Sequence, residues 1–236
     1  MWSLYPDTGC HCSRSRPADG KRLVMVVIVR AELRYFRDWV TYHHLLGVQD
    51  FVVISNECDE NHHANLQGSV QSIPCSPSIT FLEGFRCAAS FQTAAYRAAV
   101  KALSSRPDLD PARTRVLFSD VDEFLVVRGG GGEGQTRSPL DTLFASGADN
   151  ASMWTIPQTL FGSSFRQGSP IGFVPANFAL AAANECDYCD EAERRELANH
   201  RTHKSICLLS AMTTARPAGS LAGLGVESHG RNESEW

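Results

Sequence analysis

Asp120 and Asp122 are the side chains of this chain best suited to chemistry. They follow residues 116–118, Val-Leu-Phe, a run short and apolar enough for a buried strand. If the chain stays extended, alternate side chains share a face, so both carboxylates point one way and Glu123 points the other. Two carboxylates facing one hard cation, with sites left for phosphate oxygens and water, are typical of Mg²⁺ bound with a diphosphate. The pair predicts a Mn²⁺ or Mg²⁺ site and a leaving diphosphate, although an isolated Asp-x-Asp is also common as a turn cap.

The elements before this pair predict how it is positioned. Residues 22–30 contain a continuous apolar run, residues 23–29, and are typical of a central parallel strand; residues 51–55 are a second such strand. Between them, residues 32–46 show helical spacing and end at Gly47. The pattern indicates an α/β fold with a mostly parallel central sheet flanked by helices. Ligands of such sheets bind beyond the carboxyl ends of the strands, where the aspartates lie.

The remaining segments are less regular. Residues 56–80 are polar and predict no element, whereas residues 90–103 are Ala-rich and predict a helix capped by Ser90. The glycine run in residues 128–137 lacks the Gly-Lys-Ser/Thr of a phosphate loop, which favours a flexible surface loop.

Length and composition limit the function classes. A chain of 236 residues favours one domain, and a net charge of −4 gives no basic face for nucleic acid. The longest apolar run, residues 23–29, is shorter than the roughly 20 residues of a membrane span, and residues 1–22 lack the apolar centre of a secretory signal. Eight cysteines instead favour an oxidising compartment, where Asn150 and Asn232 would be glycosylation sequons.

A series of short motifs runs in order along the chain. Residues 30–48 read Arg-Ala-Glu-Leu-Arg-Tyr-Phe-Arg-Asp-Trp-Val-Thr-Tyr-His-His-Leu-Leu-Gly-Val, residues 51–59 read Phe-Val-Val-Ile-Ser-Asn-Glu-Cys-Asp, and residues 119–125 read Ser-Asp-Val-Asp-Glu-Phe-Leu. Further landmarks are Gln92, Trp154, Phe161-Gly162-Ser163-Ser164, Lys204-Ser205-Ile206 and His229. In order and spacing this series resembles glycosyltransferase family 92 and related, family 2-like GT-A glycosyltransferases.

The resemblance implies a GT-A fold, a UDP-sugar donor, a glycan or glycoconjugate acceptor and inversion at the anomeric carbon. It implies one domain over residues 23–236, cut short at its C-terminus, after an irregular segment 1–22. It also implies a Golgi or secretory-pathway membrane location, which the missing anchor opposes, so that a cytoplasmic location stays open. The site residues it implies are Arg30, Glu32, Asn56 and Asp59 at the nucleoside, Lys204 at a phosphate, Asp120, Asp122 and His229 at the metal, and Trp154, Phe161 and Gly162 as sugar platforms or core residues.

Some features depart from the pattern and keep alternatives open. Arg30-Ala31 replaces Lys-Asn, and the family's segment beyond His229 is absent, so the general base stays unassigned among Glu185, Asp187 and Asp190. A domain that binds nucleotide-sugar or a partner without turnover, and a metal-dependent phosphohydrolase, are the competing functions. A zinc site is the competing metal reading, with ligands from Cys10, His11, Cys12, Cys186 and Cys189.

Overall fold

The computed structural model of the chain describes residues 20–30, 33–71, 73, 77–127, 140, 144, 151–158 and 203–214. The segment 1–19 therefore lies outside the described residues. Arg22 begins the first strand, as the pattern of residues 22–30 predicted. In the described part, no helix is long and apolar enough to cross a membrane.

The described elements alternate between strands and helices in the first half of the chain. The strands are β1 (Arg22–Val29), β2 (Asp50–Ser55), β3 (Ser78–Leu82), β4 (Thr114–Ser119), β5 (Met153–Pro157) and β6 (His203–Leu208). The helices are α1 (Leu33–Leu46), α2 (Glu60–Gln71), α3 (Gln92–Ser104) and the short α4 (Leu209–Thr214).

The six strands form one mixed sheet in the order β3-β2-β1-β4-β6-β5. The four strands from β3 to β4 are parallel, and β6 runs antiparallel to both β4 and β5. The prediction of an α/β fold with a mostly parallel sheet and a central first strand is thereby confirmed.

The core has two layers, one on each face of the sheet. In β1, Met25 and Val27 face the layer that contains α1 and Leu66 of α2, whereas Val24 and Val26 face α3 and α4. These four side chains, three valines and one methionine, are fully buried. Burial on both faces explains why β1 reads as a continuous apolar run without alternation.

Ion pairs join the strands at the amino-terminal edge of the sheet. The buried Asp50 carboxylate lies 2.8 Å from Arg106 and 3.5 Å from Arg22, and each arginine also contacts Asp108. The hydrogen bond from Arg106 is the main cause that holds the pKa of Asp108 well below its usual range. Two arginines and two aspartates neutralise each other here.

Two predictions about local structure were wrong. Residues 56–80, for which no element was predicted, contain α2 and the start of β3. Their polar composition gave no signal, because α2 buries only Leu66 among its described side chains and β3 is half exposed. The helix expected from Ser90 begins at Gln92, and its N-cap residue, Phe91, makes no side-chain capping hydrogen bond. Ser90 instead has a φ of 51°, within the tight loop before the helix.

Candidate functional site at the carboxyl edge of the sheet

The strand order of the sheet reverses between β1 and β4. From β1 the chain adds β2 and β3 on one side, and then returns to pair β4 with the other side of β1. Helices α1 and α2 cover one face and α3 the other, so the chain reaches β2 and β4 across opposite faces of the sheet. Ligands of open α/β sheets bind beyond the carboxyl ends of the strands at such a switch point. The residues that follow these two strands are Arg30 and Asp120, both exposed.

Residues 120–123 form a β-turn and not the extended segment that the sequence predicted. The Glu123 N–H donates to the Asp120 carbonyl at 3.1 Å. The Glu123 carboxylate folds back as well, accepting from the Asp120 N–H at 2.8 Å and from the Ser119 hydroxyl at 3.2 Å. Glu123 therefore lies beside Asp120, where strand alternation would have turned it away, and both Asp120 and Asp122 are exposed.

Lys204 of β6 reaches this turn from the neighbouring strand. Its ammonium lies 3.2 Å from Asp120 Oδ2 and 3.0 Å from Glu123 Oε2. Burial lowers the pKa of Lys204, but the charges of Asp120 and Glu123 outweigh this effect, and the pKa is raised overall. Burial raises the pKa of Glu123, although its bond to Asp120 N–H and the charge of Lys204 oppose the shift. The lysine therefore stays charged and supplies a cation to an acidic turn.

Gln158, just after β5, completes the surroundings of Glu123. Its side-chain amide donates to Glu123 Oε1, while Oε2 takes the bonds from Ser119 and Asp120. Both carboxylate oxygens are thus fixed, so Glu123 serves to hold the turn and the lysine in place.

Helix α1 fixes the backbone that follows the turn. Trp39 Nε1 donates to the Glu123 carbonyl at 2.8 Å, and the Tyr42 hydroxyl donates to the Leu125 carbonyl at 3.1 Å. The Leu125 N–H donates to His43 Nε2 at 3.0 Å, so the neutral imidazole carries its proton on Nδ1 and donates to the Trp39 carbonyl. Burial lowers the pKa of His43 to about 4, which keeps this ring neutral.

Tyr96 of α3 supports the site from the other face of the sheet. Its ring packs on Phe118 with 4.4 Å between centroids, and its hydroxyl accepts from the Gln92 amide at 3.3 Å. Burial is the main cause that raises its pKa to about 12, and the negative charges of Asp120 and Glu123 add to the shift. The phenol therefore stays protonated at neutral pH.

Asn56 and Asp59, expected at the nucleoside, make structural contacts after β2. The buried Asn56 amide donates to the carbonyls of Phe85 at 2.6 Å and Ala88 at 3.2 Å. Asp59 caps α2, because its Oδ1 accepts from the Asn61 N–H at 2.8 Å. Both side chains therefore fix the loops that follow β2 and β3.

A disulfide joins the same two loops. Cys58, after β2, is bonded to Cys87, in the loop between β3 and α3, with 4.8 Å between their Cα atoms. Arg86 strengthens this junction by donating to the carbonyls of Glu57 and Cys58. Cys207 of β6 is instead a buried free thiol, so the described cysteines include a disulfide pair and a free thiol.

Of the other predicted site residues, only Trp154 lies within the described residues. Trp154 of β5 is half buried, with its ring 3.9 Å from the guanidinium carbon of Arg115 and 5.8 Å from the ring of Phe144. These contacts make it part of the packing beside β6. Glu32, Phe161, Gly162 and His229 lie outside the described residues, as do the candidate bases and the cysteines of the zinc reading.

The donor set of the acidic turn fits a hard cation through few protein ligands. No group of three or more His, Cys, Asp or Glu side chains arranged for a metal ion occurs in the described segments. A Mg²⁺-type ion, however, commonly uses one or two carboxylates and completes its shell with phosphate oxygens and water. The Lys204 ammonium, 3.2 Å from Asp120 Oδ2, stands in for such a cation.

Sequence reasoning missed several residues of this site, notably Glu123, Gln158, His43 and Tyr96. Only Glu123 had a usable signal, since a carboxylate three residues after Asp120 can close a turn onto its N–H. The others reach the site through long-range pairing. No protein-family model matches this chain, and no curated protein matches it at a significant level of sequence similarity.

Proposed function

We propose that this chain is a metal-dependent glycosyltransferase of the GT-A fold that transfers a sugar from a UDP-sugar to a hydroxyl of a glycan or glycoconjugate. The observation that carries the proposal is the position of Asp120 and Asp122. They follow β4 at the boundary between β1 and β4, where open α/β sheets bind nucleotides. The resemblance of the motif series to glycosyltransferase family 92 supplies the class of donor and the inverting outcome.

Each side chain beside the carboxyl ends of β1 and β4 has a role suited to a nucleoside diphosphate. Asp120 and Asp122 would hold Mn²⁺ or Mg²⁺, and Lys204 would contact a phosphate oxygen. The exposed Arg30 follows β1 on the other side of the switch point and would meet the nucleoside. When bound, the metal ion would supply Lewis-acid stabilisation of the departing diphosphate.

Glu32, His229, Phe161 and Gly162 keep the roles that the resemblance implies: nucleoside contact, third metal ligand and sugar platform. For Asn56 and Asp59 the observed contacts favour a supporting role, in which they fix the loops that border the donor. Their effect on UDP affinity would then arise through loop position.

The test is calorimetric titration of UDP into the purified protein with Mn²⁺ and with EDTA. We expect binding with Mn²⁺ only, and a loss of at least about a hundredfold in the Asp120→Asn/Asp122→Asn variant, because removing both charges removes the cation. Asp110→Asn is the matched control: Asp110 is similarly exposed, lies in the turn before β4 and is expected to bind UDP as the wild type does.

The outcomes separate the competing functions. Metal-dependent UDP binding followed by release of UDP from a UDP-sugar, with sugar found on an acceptor, supports the transferase. UDP binding without any turnover of UDP-sugars supports a non-catalytic binding domain. Phosphate release from a simple aryl phosphate, with no affinity for UDP, supports a phosphohydrolase. A folded wild type that binds no UDP overturns the proposal.

A further inference from the structure

Lys204 occupies a position that a metal ion would also need. Its ammonium contacts Asp120 at 3.2 Å and Glu123 at 3.0 Å, and its side chain is 31% exposed. In the proposed function Asp120 binds the cation. A dication and an ammonium cannot both lie within about 3 Å of the same carboxylate oxygen without strong mutual repulsion. The cation must therefore displace the lysine.

The two ends of Lys204 differ in mobility. Its backbone belongs to β6, which is paired with β4 on one side and β5 on the other, with Ile156 directly opposite Lys204. Its ammonium, in contrast, is carried on a flexible four-carbon stem and is partly exposed. The strand can stay in place while the ammonium moves a few Å away from Asp120.

A diphosphate provides the place to which the ammonium moves. A phosphate oxygen bound to the cation at Asp120 would lie close to the displaced lysine, and the phosphate charge replaces the attraction that the carboxylates had provided. Without a diphosphate, displacement leaves the ammonium with only Glu123 and solvent. The cation alone must then supply the free energy needed to displace the lysine.

We propose that Lys204 is an internal counter-ion that blocks the cation position at Asp120 in the empty site and transfers to the diphosphate when the nucleotide binds. This inference rests on the proposed function and adds a mechanism of coupling to it: metal and nucleotide each bind weakly alone and strengthen each other reciprocally. Lys204 thus competes with the metal for Asp120 and becomes a ligand of the phosphate.

Opposite effects on the two ligands test the inference. In Lys204→Met, we expect Mn²⁺ affinity without nucleotide to rise about two- to fivefold, the range expected for losing a partly exposed ion pair. We expect UDP affinity at saturating Mn²⁺ to fall at least about tenfold in the same variant. Mn²⁺ binding is read from the electron paramagnetic resonance signal of the free ion, and UDP binding from calorimetry.

Three further variants define the controls. Lys204→Gln is a second neutral variant, and Lys204→Arg keeps the charge and should restore weak binding of Mn²⁺ alone. Lys101→Met makes the same chemical change at an exposed lysine in the last turn of α3 and should change neither affinity. Circular dichroism and thermal melting establish that each variant is folded.

The results separate this inference from the proposed function. Wild type that binds Mn²⁺ and UDP cooperatively, with neutral Lys204 variants that bind Mn²⁺ no more tightly, overturns the counter-ion role and leaves the transferase proposal standing. Neutral variants in which both affinities fall together overturn it too, because a merely structural lysine predicts that result. Wild type that binds neither ligand overturns both proposals.

Discussion

The two edges of the parallel sheet use charge in opposite ways. At the amino-terminal edge, Asp50 and Asp108 face Arg22 and Arg106 in a closed set of ion pairs. The set is balanced, and Asp50 is buried within it. Each charge of this cluster faces an opposite charge, with Asp50 buried and Asp108 43% exposed, and its role is to join strand ends.

At the carboxyl edge the charges of the turn are unbalanced. Asp120, Asp122 and Glu123 are three carboxylates within four residues, and Lys204 contacts two of them. Asp120 and Asp122 are exposed, so the surplus negative charge faces solvent. The acidic turn therefore keeps exposed negative charge that a bound cation could neutralise. The amino-terminal set pairs its carboxylates with arginines of the protein and so contributes to stability.

The largest expected effect comes from breaking the balanced cluster. Asp50→Ala removes the buried one of the two carboxylates that Arg22 and Arg106 share. The two arginines, 11% and 23% exposed, are left with Asp108 alone, and we expect a loss of about 3–5 kcal/mol in the free energy of unfolding. Urea denaturation measures it. Asp120→Asn, the corresponding change at the other edge, should shift this free energy by less than about 1 kcal/mol. Equal losses in the two variants would contradict the comparison.

The disulfide gives the carboxyl edge a different kind of reinforcement. Cys58 and Cys87 are 29 residues apart, and the chain-entropy argument gives about 3.6 kcal/mol for closing a loop of that length. We expect this loss for Cys58→Ser/Cys87→Ser in denaturant unfolding. Dithiothreitol should produce the same loss in the wild type and no further loss in the variant. An unchanged wild type under reductant would indicate that the loops are held by Asn56 and Arg86 alone.

The smallest expected effect concerns His43, which lies beneath the carboxyl edge and holds the Leu125 backbone while its ring is neutral. Its pKa is lowered to about 4 from an ordinary value of 6.5, so between these values the unfolded chain binds a proton that the folded chain does not. The free energy of unfolding contributed by His43 is therefore complete above pH 6.5 and declines as the pH falls to 4. We expect a loss of up to about 3 kcal/mol across this window.

Unfolding titrations at several pH values check this expectation. His43→Gln should flatten the profile between pH 6.5 and 4. An unaltered slope in His43→Gln would show that other groups determine acid stability.

The sequence predicted the central fold from burial. Strands β1, β2 and β4 and helices α1 and α3 carry strong apolar patterns because they pack in the core, and their existence was foreseen. Helix α2 and strand β3 were missed because α2 presents chiefly polar residues and β3 is a half-exposed edge strand. Packing against the rest of the sheet determines their structure, and a local pattern cannot show it.

For the site, the sequence predicted which strand end carries the acidic pair but not the local geometry. The expected alternation of Asp120 and Asp122 failed because the Glu123 carboxylate closes a turn on the Asp120 N–H. The contact of Lys204 with this turn could not be predicted from spacing, since 84 residues separate the two. Asn56 and Asp59 came from the resemblance, whereas their observed bonds are with neighbouring loop and helix backbone.

The pairing of β1 with β4 has a consequence for the order of folding. Trp39 bonds to Glu123 across 84 residues, and Lys204 reaches Asp120 across another 84. Contacts of such sequence separation close late, because the intervening chain must lose its entropy first. The proposed donor site is therefore assembled late, and during refolding the recovery of the proposed UDP binding should coincide with the slowest structural phase.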